Sequence, residues 1–306
     1  MVNFDRLYQI IIAVFVIIIL VIILRSFYNR NTHIEAYENY VENTDPYEGK
    51  RNFVKMLQIA YNDKDGQKEL TDEIKRLTKI NYKSRILDAG CGVGNIGRFF
   101  KNYSNYYGID ISKEKLKRAY INNPSKNYKE NDLIIPDTYS PVYFDLVLLL
   151  GKGLYENSTP KRRKILENIY TWLKPDGYMC LTLYDGIKND DDLNFQPQSY
   201  SIYNGTGIEP SVITHHNHFS HFVKWSKNEK DNVLIYTDEF EFPDNPNIKS
   251  HDTKLHINDQ IMTDCLKLGF ELKEIIDEVN HTENRIRHNY NKVGVFIKPA
   301  STSESE

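Results

Sequence analysis

An apolar segment that ends in an acidic residue is followed at once by alternating glycines, and this is the part of the sequence best suited to chemistry. The segment ends at Asp88, and Gly90, Gly92 and Gly94 follow it. Glycine lets a backbone turn with positive φ and approach a ligand that a Cβ atom would push away. The spacing therefore predicts a loop that binds a cofactor.

Two kinds of cofactor are compatible with the glycine spacing. Gly92, Gly94 and Gly97 satisfy the dinucleotide fingerprint, in which backbone amides at a helix N-terminus hold a pyrophosphate. Asp88 argues against a dinucleotide, because a carboxylate at this point would repel a diphosphate and would attract an amino group or a sulfonium. A tight turn that binds nothing is the remaining alternative.

A second acidic residue follows the next predicted strand. The run from Tyr106 to Asp110 is short and apolar until its last residue, and it comes about twenty residues after the loop. A parallel neighbouring strand would place the Asp110 carboxylate against ribose hydroxyls. Ser112 is then a suitable N-cap for a helix whose inner face carries Leu116 and Ala119.

Together these motifs resemble those of class I S-adenosylmethionine-dependent methyltransferases, over about Ser84 to Lys298. The resemblance implies S-adenosylmethionine as cofactor and an α/β fold with a doubly wound, seven-stranded Rossmann-like sheet whose last strand is antiparallel. Asp132, after a short strand around Tyr128, would hold the adenine amino group, although a solvated turn is an alternative. The implied cofactor-binding residues are Asp88, Gly90, Cys91, Gly92, Gly94, Asp110, Ile111, Asp132 and Leu133.

The pattern after Asp132 predicts the rest of that sheet. Thr159 is a predicted N-cap, with Pro160 at the first helical position. A later helix is predicted from Asn258 to Leu268, with Gly269 as its C-cap. The predicted strands are Phe144–Leu150, Tyr178–Tyr184, Phe270–Ile276 and Val293–Ile297.

Composition narrows the class of partner. The chain has 306 residues and a formal net charge of -3, without the basic surplus that nucleic-acid binding requires. The loop after the Phe144–Leu150 strand contains Lys152 between two glycines. It lacks the Asn/Asp-Pro-Pro-Tyr segment of enzymes that methylate base amino groups. No nucleic-acid partner is expected.

The N-terminal segment is apolar and free of charge from residue 7 to residue 24, between Arg6 and Arg25. A helix of that length is about 27 Å long, enough to cross a hydrocarbon core. A signal peptide is the alternative. Because basic residues are more frequent after the segment, we expect a single-pass membrane protein whose catalytic domain lies in the cytosol.

These patterns divide the chain into five parts. The predicted parts are a short tail (1–6), a transmembrane helix (7–24), a juxtamembrane linker (25–52), a methyltransferase domain (53–298, with an insertion at 186–257) and a disordered tail (299–306).

The insertion is longer than a simple crossover needs, and such insertions usually carry function. It is predicted to contain a hairpin from Phe219 to Phe242, similar to one that covers the acceptor site in small-molecule methyltransferases. His216 and His218 share a face if this part is a strand, but with His221 opposite them the geometry is poor for a metal, and none is expected. The weak candidates for a catalytic role are His216, His218 and Lys152.

The sequence is compatible with several functions. The leading hypothesis is transfer of a methyl group to an O or N atom of a small or lipophilic acceptor at a membrane. A protein methyltransferase acting on membrane-associated targets is the first alternative. A non-catalytic cofactor-binding membrane protein and an NAD-dependent oxidoreductase are the others.

Overall fold

The computed structural model describes residues 54, 57, 58, 64–184, 220–228, 233–242, 245–256, 260–277 and 291–300. All of them belong to one compact unit, Asp45–Glu306. The predicted transmembrane helix at 7–24 lies outside the described residues, and so do the short tail and the linker. Among the helices that are described, none has both the length and the apolar character to cross a bilayer.

Helices and strands alternate along most of the described chain. In chain order they are α1 (Lys64–Thr78), β1 (Ile86–Ala89), a 3₁₀ helix (Ile96–Phe100), β2 (Tyr106–Asp110), α2 (Lys113–Asn122), β3 (Asn127–Glu130), a 3₁₀ helix (Pro136–Thr138), β4 (Phe144–Leu149), α3 (Thr159–Trp172), β5 (Leu173–Tyr184), β6 (Ser220–Asn228), β7 (Val233–Phe242), β8 (Asn245–Leu255), α4 (Ile261–Lys267), β9 (Glu271–Asp277) and β10 (Asn291–Ile297).

Seven of the described strands form one sheet in the order β3-β2-β1-β4-β5-β10-β9. β1 pairs in parallel with both β2 and β4, and β10 lies antiparallel between β5 and β9. The predicted seven-stranded Rossmann-like sheet with an antiparallel last strand is therefore confirmed. The strand order reverses between β1 and β4, and ligands bind at the carboxyl ends of the strands beside such a reversal.

The central strands form because they are apolar on both faces. Leu146, Val147 and Leu148 of β4 have no exposed surface, as expected for a parallel strand covered on both sides. Helix α2 begins after Ser112, whose hydroxyl accepts a hydrogen bond from the Lys115 amide at 3.2 Å. This confirms the predicted cap.

Two predicted boundaries after β4 were wrong. Ser158, not Thr159, is the N-cap of α3, and the Thr159 hydroxyl instead accepts a hydrogen bond from the Arg162 guanidinium at 3.0 Å. β5 begins at Leu173, five residues before the predicted start, because Leu173 pairs with Phe144 of β4. The intervening turn is absorbed into the strand through Asp176, whose φ is +60°.

The insertion contributes a separate three-stranded antiparallel sheet, β6-β7-β8, which we call the insertion sheet. Its first two strands confirm the predicted hairpin. The third strand was missed, because Asn245–Leu255 is polar, contains Pro246 and lacks alternation, so that pairing with β7 defines it. Its last residue, Leu255, is fully buried in the core of the main sheet.

Candidate active site

The glycines of the loop after β1 divide into two groups with different surroundings. Gly90 and Gly92 have φ of +76° and +52°, and a Cβ atom at either position would meet nothing within 4 Å. Gly94 has φ of +74°, but a Cβ there would lie 2.8 Å from the Tyr128 hydroxyl. The first two glycines therefore present backbone to open space, and Gly94 allows close packing of β3 and α2 behind the loop.

Gly97 and Gly108 also serve packing. A Cβ atom on Gly97 would lie 3.1 Å from the Tyr128 hydroxyl, and one on Gly108 would lie 2.5 Å from a Tyr128 ring carbon. Gly97 is the last glycine of the dinucleotide fingerprint considered above. In this chain, the Tyr128 hydroxyl packed against Gly97 explains why glycine occupies this position.

Backbone hydrogen bonds fasten the loop to β2. The amides of Gly90 and Cys91 both donate to the Ile109 carbonyl, at 2.8 and 2.9 Å. The Cys91 side chain is buried, and burial raises the pKa of its thiol well above the usual value. The Cys91 thiol is therefore neutral, and its side chain lies in the protein interior.

Asp110 lies at the carboxyl end of β2 and accepts hydrogen bonds with both carboxylate oxygens. One oxygen accepts from the Gly92 amide and the other from the Ser112 amide, each at 2.8 Å. The side chain thus joins the glycine loop to the start of α2. Each carboxylate oxygen has a second lone pair, so these contacts leave acceptor capacity for a ribose hydroxyl.

Asp88 is the buried acid of the site. It is 3 % exposed and accepts a hydrogen bond from the Tyr106 hydroxyl. Burial raises the pKa of Asp88 to about 7, and the charge of Asp110 raises it too, whereas the bond from Tyr106 lowers it. The carboxyl lies behind the loop, in the interior of the protein.

The remaining predicted cofactor residues lie after β2 and β3. Ile111 follows Asp110 and is 39 % exposed. Its large apolar side chain is therefore available to contact an adenine ring. Asp132 accepts from the Ile134 amide at 3.1 Å, as in a turn, and Leu133 packs partly buried against the core. The adenine role of Asp132 stays a prediction.

The loop after β4 lies at the same edge of the sheet as the glycine loop, because β1 and β4 are parallel neighbours. Gly151 has φ of +86°, and a Cβ atom on Gly151 or Gly153 would meet nothing within 4 Å. The Lys152 ammonium lies 3.9 Å from a carboxylate oxygen of Asp238 on β7, and the lysine side chain is 23 % exposed. Burial lowers the pKa of Lys152, and Asp238 partly offsets that effect.

Two hydrogen bonds to the His256 backbone hold the end of β8 against the domain. The His256 amide donates to the Tyr155 carbonyl at 2.8 Å, and the Arg162 guanidinium donates to the His256 carbonyl. Tyr155 in turn donates from its hydroxyl to the Thr182 carbonyl on β5 at 2.9 Å. The insertion sheet is thereby joined to the domain close to the loop after β4.

Sequence reasoning missed three side chains of this site: Tyr106, Tyr128 and Asp238. Each was assigned only to a strand, because its role depends on a partner from another strand. The glycines at positions 94, 97 and 108 were a usable signal, since small residues on adjacent elements leave room for a large one between them. The candidates His216 and His218 lie outside the described residues.

Residues 87–179 match a family model described as a methyltransferase domain. By sequence, the chain is 29 % identical over 133 residues to sterol methyltransferase-like 3 of Botryococcus braunii, covering 41 % of this chain and 32 % of that protein. It is 26 % identical over 131 residues to phosphoethanolamine N-methyltransferase of Plasmodium falciparum (isolate 3D7), covering 41 % and 48 %. The matched part thus spans about a third to a half of these curated relatives.

Solved structures share the fold. A S-adenosylmethionine-dependent methyltransferase from Clostridium acetobutylicum ATCC 824 aligns with a TM-score of 0.58 and 13 % identity, over 83 % of this chain and 99 % of that one. CalS10, an amino pentose methyltransferase from Micromonospora echinaspora in its S-adenosylmethionine-bound form, aligns with a TM-score of 0.59 and 14 % identity, over 85 % and 100 %. The matched segment is a methyltransferase domain, and one of the solved structures that share the fold is bound to S-adenosylmethionine. Both findings agree with the predicted type of enzyme and cofactor.

Proposed function

Starting from this methyltransferase domain, we propose that the chain transfers a methyl group from S-adenosylmethionine to an O or N atom of a small or lipophilic acceptor. The acceptor binds between the loop after β4 and the insertion sheet. Two of the relatives matched by sequence are named for small acceptors, a sterol and phosphoethanolamine, which supports an acceptor of this size.

One observation carries the proposal. Four glycines border open space, two on each side of the point where the strand order reverses. Gly90 and Gly92 follow β1, and Gly151 and Gly153 follow β4. Asp110 lies beside the first pair, with lone pairs available for ribose hydroxyls. S-adenosylmethionine, when bound there, would supply an electrophilic methyl group.

The chain's own residues have a limited task in such a reaction. The domain must align the acceptor and take up the proton that an amine or hydroxyl loses. Among the residues that the structure describes, Lys152 is the candidate for taking up this proton. It lies in the loop after β4, and burial lowers its pKa. A lowered pKa favours the neutral amine, the form whose Nζ accepts a proton, and Asp238 stabilises the ammonium.

Membrane attachment is part of the proposal and depends on sequence alone. The charge-free segment at 7–24 would anchor the chain, and the basic residues after it favour a cytosolic domain. A lipid or other membrane-associated acceptor would then be within reach of the site. A matched test compares the natural chain with Ile18→Arg, in which a charge lies near the centre of the segment.

We expect the natural chain to stay with membranes after alkaline carbonate washing and Ile18→Arg to be released. Protease added to intact microsomes should digest a C-terminal tag on the chain. Release of the natural chain, or protection of the tag, would contradict the anchor or its orientation, respectively.

The test of activity is transfer of labelled methyl groups by the full chain to membrane extracts and metabolite pools, with Asp110→Ala as the control. We expect label in a small or lipid-soluble product that the control forms slowly. Label in polypeptide would favour a protein methyltransferase instead. A folded chain that binds the cofactor but labels no fraction would contradict the enzymatic proposal.

A further inference from the structure

Tyr106 and Asp88 are brought together by the register of β1 and β2. Ile86 lies opposite Tyr106 and Asp88 lies opposite Gly108, so the strand β2 presents no side chain directly beside the acid. The space at Gly108 is filled by the Tyr128 ring. The Tyr106 hydroxyl donates a hydrogen bond to the Asp88 carboxylate. Both side chains are buried.

The surroundings of Asp88 disfavour its negative charge. The titratable groups that act on it are Tyr106 and Asp110 of β2, and Asp88 in turn acts on Cys91 in the loop and on Tyr128 of β3. None of these four can supply a positive charge, because thiols, phenols and carboxyls are neutral or negative. The Lys126 ammonium lies 5.7 Å from the centroid of the Tyr106 ring and donates to the carbonyls of Phe100 and Tyr103. The hydrogen bond from Tyr106 is the contact that favours the ionised form.

The carboxyl of Asp88 is consequently divided between two protonation states near neutral pH. Burial raises its pKa to about 7. Asp88 is also two residues before Gly90, where the backbone of the cofactor loop opens to space. A cationic ligand in that loop would attract the ionised form through an interior that screens charge weakly.

We propose that Tyr106 is a positioning residue for cofactor binding, which orients the Asp88 carboxylate and favours its ionised form, the form that attracts the positive charge of the cofactor. The identity of the cofactor is taken from the proposed function. Binding then displaces the proton of Asp88 to solvent, and affinity falls as the pH is lowered. Tyr106 itself does not touch the cofactor.

The test uses the full chain in mild detergent with two variants that each remove one buried hydroxyl. Tyr106→Phe removes the donor to Asp88. Tyr128→Phe is the matched control, because that hydroxyl belongs to the same buried cluster but accepts from Asn123 at 3.2 Å. The dissociation constant for S-adenosylmethionine is measured by calorimetry from pH 6 to pH 8, in two buffers of different ionisation enthalpy.

For the natural chain we expect affinity to fall by up to about tenfold for each pH unit below the midpoint, with release of a proton on binding. In Tyr106→Phe the midpoint should move up by about one unit, the worth of a typical hydrogen bond, so that affinity at pH 7 falls several-fold. Tyr128→Phe should keep the natural midpoint. Asp88→Asn should abolish the proton release that depends on this carboxyl.

Identical pH profiles for Tyr106→Phe and the natural chain would overturn the inference, as would unchanged proton release in Asp88→Asn. A readout without ligand separates this failure from failure of the proposed function. The folded chain holds the Asp88 proton from about pH 4 to pH 7 and the unfolded chain does not, so stability relative to Asp88→Asn should fall as the pH rises through this window. Tyr106→Phe should extend the fall above pH 7. If it does not, the inference is wrong even where the cofactor binds.

Discussion

The ammonium of Lys152 lies 3.9 Å from a carboxylate oxygen of Asp238, and this ion pair joins the loop after β4 to the insertion sheet. The Asp238 side chain is 4 % exposed, so removal of the lysine leaves a buried negative charge. Such a pair contributes little net stability, but breaking it from one side is costly. The pair therefore tests whether the insertion sheet is docked over the strand ends.

A double-mutant cycle with Lys152→Met and Asp238→Asn should show coupling in thermal unfolding of roughly 0.5 to 3 kcal/mol. Lys152→Met should also reduce methyl transfer, with the dissociation constant of the cofactor unchanged within about threefold. Lys161→Met, at an exposed position of α3, is the control and should change neither quantity. Additive effects in the cycle would mean that Lys152 and Asp238 do not interact.

Asp110→Ala should weaken S-adenosylmethionine binding and also lower the free energy of unfolding. The reason is that the Gly92 and Ser112 amides both donate to this carboxylate and both lose their acceptor. A loss of about 1 to 3 kcal/mol in binding is the usual range for such contacts. Titration calorimetry and thermal unfolding of the same sample measure the two effects.

Asp132→Ala is the matched control for Asp110→Ala. Its carboxylate accepts from the Ile134 amide within a turn, so we expect a smaller change in stability. If Asp132→Ala leaves cofactor affinity unchanged, the interpretation of Asp132 as a solvated turn residue is correct and its adenine role is not.

Gly92→Ala and Gly108→Ala should fail in different ways. Alanine at Gly92 meets no atom within 4 Å but must adopt φ of +52°, so we expect a folded protein with a strained loop and weaker cofactor binding. Alanine at Gly108 would lie 2.5 Å from a Tyr128 ring carbon, so stability should fall by about 1 to 3 kcal/mol, as in overpacked cores.

A smaller side chain at position 128 distinguishes glycines that serve packing from glycines that contact a ligand. Tyr128→Leu should partly restore the stability of Gly108→Ala and should do nothing for Gly92→Ala. Gly153→Ala, where a Cβ atom has open space and no positive φ is required, should leave folding unchanged. Loss of stability in Gly92→Ala as large as in Gly108→Ala would contradict the division of the glycines into two groups.

Arg162→Met should loosen the end of β8 and lower the free energy of unfolding by about 1 to 3 kcal/mol or more. Arg162 is 2 % exposed and donates to the His256 carbonyl and to the Thr159 hydroxyl. Its loss leaves a partly buried carbonyl without this donor. Lys164→Met is the control in the same helix, since the pair of Lys164 with Glu167 is half exposed and should be worth almost nothing.

Much of the fold could be predicted because its signals are local. Positive φ at Gly90 and Gly92 requires glycine whatever the surroundings, and an apolar run such as Phe144–Leu149 must be covered on both faces. The order of such segments then restricts a βα chain to few topologies, because crossovers are right-handed and short. The position of Asp110 at a strand end, next to the glycine loop, follows from that order.

The pairing of side chains across strands was decided only in the tertiary structure. Nothing near Tyr106 in the sequence indicates that its hydroxyl reaches Asp88, since this depends on the register of β1 against β2. The contact between Lys152 and Asp238 likewise joins parts of the chain that are far apart. Sequence alone determined which backbone could form the cofactor loop, because conformational preference belongs to single residues. The charges and packing behind that loop depend on contacts between distant residues, and only the folded chain brings those residues together.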